Sequence, residues 1–170
     1  MLFRSIHGMS MDELKLYCRR VAGAVGMLSV RVFGEDNEIA DKVAIAQGEA
    51  LQLTNILRDL EEDAERDRLY LPIELLEKHD IEPRSPSEVV AHESLQGVCV
   101  DLAEYASERY TQAEGLMEKL DKRKMKPAII MLHVYKAILD KLVQCGWHDL
   151  THRVSISKPR KLWIALKHSL

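Results

Sequence analysis

Apolar residues recur along this chain every three or four positions, the helical period, and the strict alternation of a half-buried strand is nearly absent. The pattern predicts an all-α chain of several helices joined by short turns. A first helix is expected from about Ser10 to Phe33, with Ser10 as its cap, Glu13 completing a capping box and Gly34 placed to end it. The second and longest is expected from about Ile39 to Glu65. Tyr70-Leu71-Pro72 breaks the pattern, and Pro72 suits the first turn of a short helix to His79. After a proline-containing loop, Ser85 or Ser87 would cap another short helix to His92. Two long helices follow, from about Ser94 to Asp121 and from Pro127 to Gly146, with the basic turn Lys122 to Lys126 between them. A short amphipathic helix is expected past Pro159. Residues 1–146 would thus form one helical body and 147–170 a basic tail.

Composition narrows the class. With 170 residues, 46% apolar and 30% charged, the chain is long enough for one domain with a real core. No apolar run approaches the ~20 residues of a membrane-crossing helix. The first residues lack a signal-peptide core, which makes a cytoplasmic setting the expectation. Cys18, Cys99 and Cys145 form no CxxC pair and read as reduced thiols. The net charge of −3 hides an asymmetry, for the residues from Trp147 onward carry +4 and those before them −7. An acidic body argues against nucleic acid as the main partner. The glycines never fall into GxGxxG or GxxxxGK[ST], so neither a dinucleotide fold nor a P-loop has support. In the tail, Leu162, Trp163 and Leu166 set against Arg160, Lys161 and Lys167 suit either peripheral contact with an anionic membrane or docking on the same domain. His148 and His152, four apart beside Trp147, read as loop histidines.

Two stretches carry candidate chemistry. Gln52, Asn55, Asp59 and Asp63 are spaced by three, four and four, which at about 100° per residue gathers them on one helix face. Leu53, Ile56, Leu57 and Leu60 fall on the adjoining face, so the polar stripe borders the core. Asp59 and Asp63 repel one another across one turn. A divalent cation would reverse that sign, and magnesium takes carboxylate and amide oxygens while keeping waters for itself. The alternative is a solvated acidic face, with Glu61, Glu62, Glu65, Asp67, Arg58 and Arg66 making ordinary surface pairs. In the first helix, Cys18, Ala22 and Gly26 form a ridge with almost no side chain. Gly23 and Gly26 each cost roughly 1 kcal/mol against alanine inside a helix. Either another helix or a long hydrocarbon ligand comes close there.

Together these stretches resemble the squalene/phytoene synthase family. The resemblance rests on Tyr17-Cys18 followed by Val21-Ala22-Gly23 and Val25-Gly26, and on Gln52-Leu53-Thr54-Asn55-Ile56-Leu57-Arg58-Asp59 running through Glu62-Asp63 to Arg68-Leu69-Tyr70-Leu71-Pro72. Glu61 departs from the glycine common between the two aspartates. The resemblance implies the C-terminal part of an isoprenoid synthase helical bundle, with Mg2+ held by Asn55, Asp59 and Asp63. It implies that Tyr17, Tyr70 and Arg68 act near the reacting carbons and leaving group. Gln52, Arg58 and Tyr135 would contact substrate, and Val21, Ala22, Val25 and Gly26 would line the prenyl channel. Arg58 is equally a surface ion-pair partner and Tyr135 equally a core tyrosine.

The segments Leu28-Ser29-Val30-Arg31-Val32-Phe33-Gly34 and Arg153-Val154-Ser155-Ile156-Ser157-Lys158-Pro159-Arg160 resemble the bacterial branch that joins two farnesyl diphosphates into presqualene diphosphate for hopanoids. The nearest variant acts on geranylgeranyl diphosphate to make phytoene, and a non-catalytic helical interaction module is the other class. The family also uses a second aspartate-rich motif facing the first. Asp12-Glu13 and Asp36 to Asp41 have neither its order nor its setting. A fragment, or a missing N-terminal half on another polypeptide, is therefore expected. Apolar faces would then be exposed on the lone chain, favouring oligomers.

Overall fold

The computed structural model describes residues 6–82 and 84–168, with only the backbone for Ile6 and His7. Helix α1 (Met11–Cys18) starts as predicted. The Glu13 N–H donates to the Ser10 hydroxyl at 3.2 Å, and the Ser10 N–H donates to the Glu13 carboxylate at 2.8 Å. Replacing Ser10 with Ala is expected to cost about 1 kcal/mol, read as a lower urea midpoint at unchanged slope.

The helix expected to run unbroken to Phe33 is continuous but not uniform. One π-turn, Arg19–Gly23, separates α1 from α2 (Ala24–Val32), and Gly34 ends α2 with φ +93°. The π-turn falls where this segment crosses α3 (Glu38–Arg58) most closely. A Cβ on Gly48 of α3 would lie 2.8 Å from the Gly23 nitrogen, and one on Gly26 would lie 3.0 Å from the Ala44 carbonyl oxygen. The small ridge thus lets two helix backbones approach one another.

The helix expected from Ile39 to Glu65 is also two. Helix α3 stops at Arg58, Asp59 takes φ −108° and ψ 21°, and α4 covers Leu60–Glu65. Backbone bonding carries across the bend, because the Asp59 N–H donates to Asn55 at 2.9 Å and the Asp63 N–H to Asp59 at 2.8 Å. The stripe is bent, not broken.

The chain is helical as expected, with one short pair of strands among the described residues. Strand β1 (Ile6–Met9) pairs in parallel with β2 (Arg68–Pro72), Ile6 opposite Arg68, with an irregularity between His7 and Met9. Leu69, Tyr70, Leu71 and Pro72 are all buried, so this strand offers no polar alternation for a period of two to register. Pro72 then precedes α5 (Ile73–Lys78) as its N-cap, one position earlier than expected.

Ser85, not Ser87, caps α6 (Pro86–Val90). The long helices are α7 (Leu95–Met117) and α8 (Lys126–Cys145), the latter ending at Gly146 with φ +72°. The last helix, α9 (Lys158–Lys167), is capped by Ser157. Helix α3 lies at the centre, packed chiefly on α7 and flanked by α2 and α8. Between α3 and α7, buried Thr54 and Tyr110 share a hydroxyl–hydroxyl bond at 2.9 Å.

The tail folds back on this body. Trp147, Ile156 and Ile164 join the core, while Leu162, Trp163 and Leu166 stay exposed. Helix α9 is therefore docked on its own domain through α8. His148 and His152 lie outside any helix, and all three cysteines are free. Among the described residues, no helix is long and apolar enough to cross a membrane. One apolar row has no cover: Val21, Val25, Leu28 and Val32 are 46–84% exposed.

Candidate active site

The bend at Asp59 points the end of α3 and the start of α4 into a cavity of about 340 Å³. Its walls come from every element the sequence singled out. Tyr17 comes from α1, Gln52, Asn55, Arg58 and Asp59 from the α3 end, Asp63 from α4, Arg68 and Tyr70 from β2, and Tyr135 from α8. The β1–β2 pairing holds the end of the first helix beside β2. There the Tyr17 and Tyr70 rings stack with centroids 5.0 Å apart. Burial, together with the hydrogen bond to Tyr70, pushes the Tyr17 phenol far above its ordinary value, so it stays a neutral donor.

The carboxylates differ in state. Asp59 is only 17% exposed and takes four hydrogen bonds. Arg58 donates through Nε and Nη2 at 2.8 and 2.6 Å, and Arg153 through the same pair of atoms at 2.9 and 3.1 Å. Burial raises its pKa, but the two guanidiniums outweigh burial and hold it below the usual carboxylate range. Asp63 goes the other way. Burial and the negative charge of Asp59 push it up, against the weaker pull of Arg68. Replacing Asp63 with Asn should therefore stabilise the metal-free chain near neutral pH by about 0.2–0.5 kcal/mol, the scale of a like-charge pair one turn apart. The raised folded-state pKa fixes the sign: the strain exists while Asp63 is ionised and fades as pH falls through that pKa. Thermal melts of parent and D63N at pH 7.5 and pH 4 should then converge at the acid end.

The third stripe residue gives the clearest sign of an incoming ligand. The Asn55 Oδ1 is buried with no hydrogen-bond partner. A lone buried acceptor beside two carboxylates fits a hard cation such as Mg2+, which takes oxygen donors and completes its shell with water and phosphate. Among the described residues, no three His, Cys, Asp or Glu side chains converge as a complete cage. The donors here are two carboxylates and one amide oxygen.

A second, apolar cavity of about 350 Å³ lies on the next face of α3. Val21, Ala22, Val25 and Gly26 line one side, Ala44, Gly48 and Leu51 the floor, and Pro127, Ala128 and Met131 the other side. Leu51 lines the groove and Gln52, the next residue of α3, lines the polar cavity.

All the sequence-derived positions therefore fall in one cavity or the other. Arg58 makes its ion pair with Asp59 within the cavity and not on the surface. Tyr135 also faces the cavity. Helical spacing could not find Arg153. It reaches Asp59 from a loop 94 residues further on, and its only sequence signal is its place in the tail segment.

The family model described as squalene/phytoene synthase matches residues 3–160. A presqualene diphosphate synthase of Zymomonas mobilis is 41% identical, covering 95% of this chain and 59% of that protein. One from Rhodopseudomonas palustris is 40% identical over 97% of this chain and 63% of its own length. A 15-cis-phytoene synthase of Synechocystis is 34% identical over 95% of this chain. The chain thus spans about three-fifths of the presqualene diphosphate synthases it matches. Among solved structures, a dehydrosqualene synthase in complex with ligand superposes with a TM-score of 0.79 at 24% identity, over 95% of this chain and 57% of that one. A squalene synthase from Alicyclobacillus acidocaldarius gives 0.75 at 23% identity, over 85% and 55%. Both likenesses are of fold, the helical isoprenoid synthase architecture. With a model match over nearly its whole length and relatives at about 40% identity, the chain belongs to the squalene/phytoene synthase family.

Proposed function

We propose that this chain supplies one diphosphate-binding wall, and part of the prenyl groove, of an enzyme that condenses two farnesyl diphosphates to presqualene diphosphate. The observation that carries this reading is that a polar and an apolar cavity are both built on the one helix α3. A polar site with Asn55, Asp59, Asp63, Arg58 and Arg68 opens beside an apolar groove along α3, which matches a ligand with an anionic head and a hydrocarbon tail.

In this reading Asn55, Asp59 and Asp63 hold magnesium, which when bound supplies positive charge to draw off a diphosphate leaving group. Arg58 and Arg68 offer planar donors to phosphate oxygens. Gln52 lies beside them, toward the diphosphate. Tyr17, held neutral, donates a hydrogen bond, while the Tyr17 and Tyr70 ring faces stand near a developing allylic cation. Tyr135 closes the cavity from α8. Val21, Ala22, Val25 and Gly26 take the prenyl chain and keep water from the cation. One farnesyl diphosphate loses diphosphate, the double bond of the second attacks, and loss of one proton closes the cyclopropane. No redox step is needed.

The phytoene synthase relatives favour a second reading, the same wall serving geranylgeranyl diphosphate. The test is incubation with either diphosphate and magnesium, alone and together with a polypeptide covering the remainder of a presqualene diphosphate synthase relative. Presqualene diphosphate from farnesyl diphosphate is expected in the complemented mixture. A C40 product from geranylgeranyl diphosphate alone would select the second reading. No product from either, with D59A and parent binding a non-hydrolysable farnesyl diphosphate analogue equally, would leave only a non-catalytic module.

A further inference from the structure

Asp59 has two carboxylate oxygens, and each already accepts two hydrogen bonds. Oδ1 receives Nε of Arg58 and Nε of Arg153, and Oδ2 receives Nη2 of each. Two bidentate forks use the directions along which a carboxylate binds either donors or cations. No direction is left for a cation, yet the buried Asn55 Oδ1 beside it is an acceptor with no partner. One guanidinium must leave before Asp59 can serve as a ligand.

The two are not equally placed to go. Arg58 is the last residue of α3 and only 13% exposed. Arg153 is 60% exposed and sits in the non-helical run between two buried anchors, Trp147 and Ile156. Its loop can let the side chain swing out while the anchors keep the tail docked. We infer that Arg153 is an internal counter-ion for Asp59, a latch that fills the cation's place until a divalent ion displaces it. Binding of the metal and release of Arg153 are then one exchange, and the freed guanidinium stays at the cavity rim. Arg153 acts here as a positioning residue. The inference rests on the proposed cation site at Asn55, Asp59 and Asp63, and deepens it.

Mn2+ serves as a spectroscopic stand-in for magnesium, with free ion counted by electron paramagnetic resonance on the intact 170-residue chain. R153Q should bind Mn2+ roughly fivefold more tightly than the parent, the scale of losing one partly exposed ion-pair competitor. R160Q, which removes the same charge from α9, should match the parent. Trypsin reads the exchange directly, because an arginine held on Asp59 is withheld from the protease. Cleavage after Arg153, followed by mass spectrometry, should accelerate when Mn2+ replaces EDTA. If R153Q and parent bind Mn2+ equally, or if cleavage after Arg153 ignores the metal, the latch is overturned while the cation site stands. If no variant binds Mn2+, both fall.

Discussion

Gly48→Ala should lower the unfolding free energy by about 2–3 kcal/mol, the cost of forcing a methyl group into a fully packed contact. The added Cβ would lie 2.8 Å from the Gly23 nitrogen, 2.9 Å from the Ala22 carbonyl carbon and 3.0 Å from the Gly23 Cα. These are backbone atoms, so no side chain can turn aside. The helices must separate, and the segment that moves carries Ala22 and Gly26 of the apolar groove. Gly115→Ala is the matched control. It lies on an exposed face of α7 with nothing within 4 Å of its added Cβ, and should stabilise by about 0.5–1 kcal/mol. Urea unfolding followed by circular dichroism separates the two. A G48A chain as stable as the parent would mean that the crossing is looser than described.

Trp147→Ala should cost more, about 3–5 kcal/mol, because a large buried ring leaves a cavity that the tail cannot fill. The polar part can be isolated. The indole N–H donates to the Leu57 carbonyl at 2.8 Å, one residue before Arg58 and two before the bend at Asp59. Trp147→Phe keeps most of the ring but leaves that buried acceptor unpaired, worth about 1–3 kcal/mol. Both variants should unfold at lower urea, in the order parent, W147F, W147A. W147F as stable as the parent would assign the whole effect to packing and none to the hydrogen bond.

Much of the fold is legible in the sequence, because several helices carry their own start or stop. Ser10 with Glu13 and Ser85 with Glu88 form capping boxes, and Gly34 and Gly146 adopt the positive φ that ends a helix. What escapes has a common cause, dependence on a partner distant in the chain. The strand Arg68–Pro72 is specified by Ile6–Met9, and its own residues show no alternation. The π-turn at Arg19–Gly23 coincides with the crossing of α3 at Gly48, which no local propensity encodes. The candidate site divides the same way. Gln52, Asn55, Asp59 and Asp63 share a helix face and can be found by spacing. Arg58 departs from that logic, since its side chain turns back along the helix to its neighbour Asp59. Arg153 departs further, being brought in by the anchoring of Trp147 and Ile156.

The pairing of β1 with β2 also bears on the order in which this chain folds. Ile6 and Arg68 meet across 62 residues, and the Met11 N–H reaches the Glu74 carboxylate at 2.9 Å across 63. Closing so long a loop costs entropy that a two-stranded sheet cannot recover early, whereas the crossing of α2 on α3 links neighbours in the chain. The helical pair should form first and its open end be clipped last. Tyr17 and Tyr70 stand on either side of that clip, so their stacking becomes a late event, and the cavity they line matures only once the rest of the body is in place.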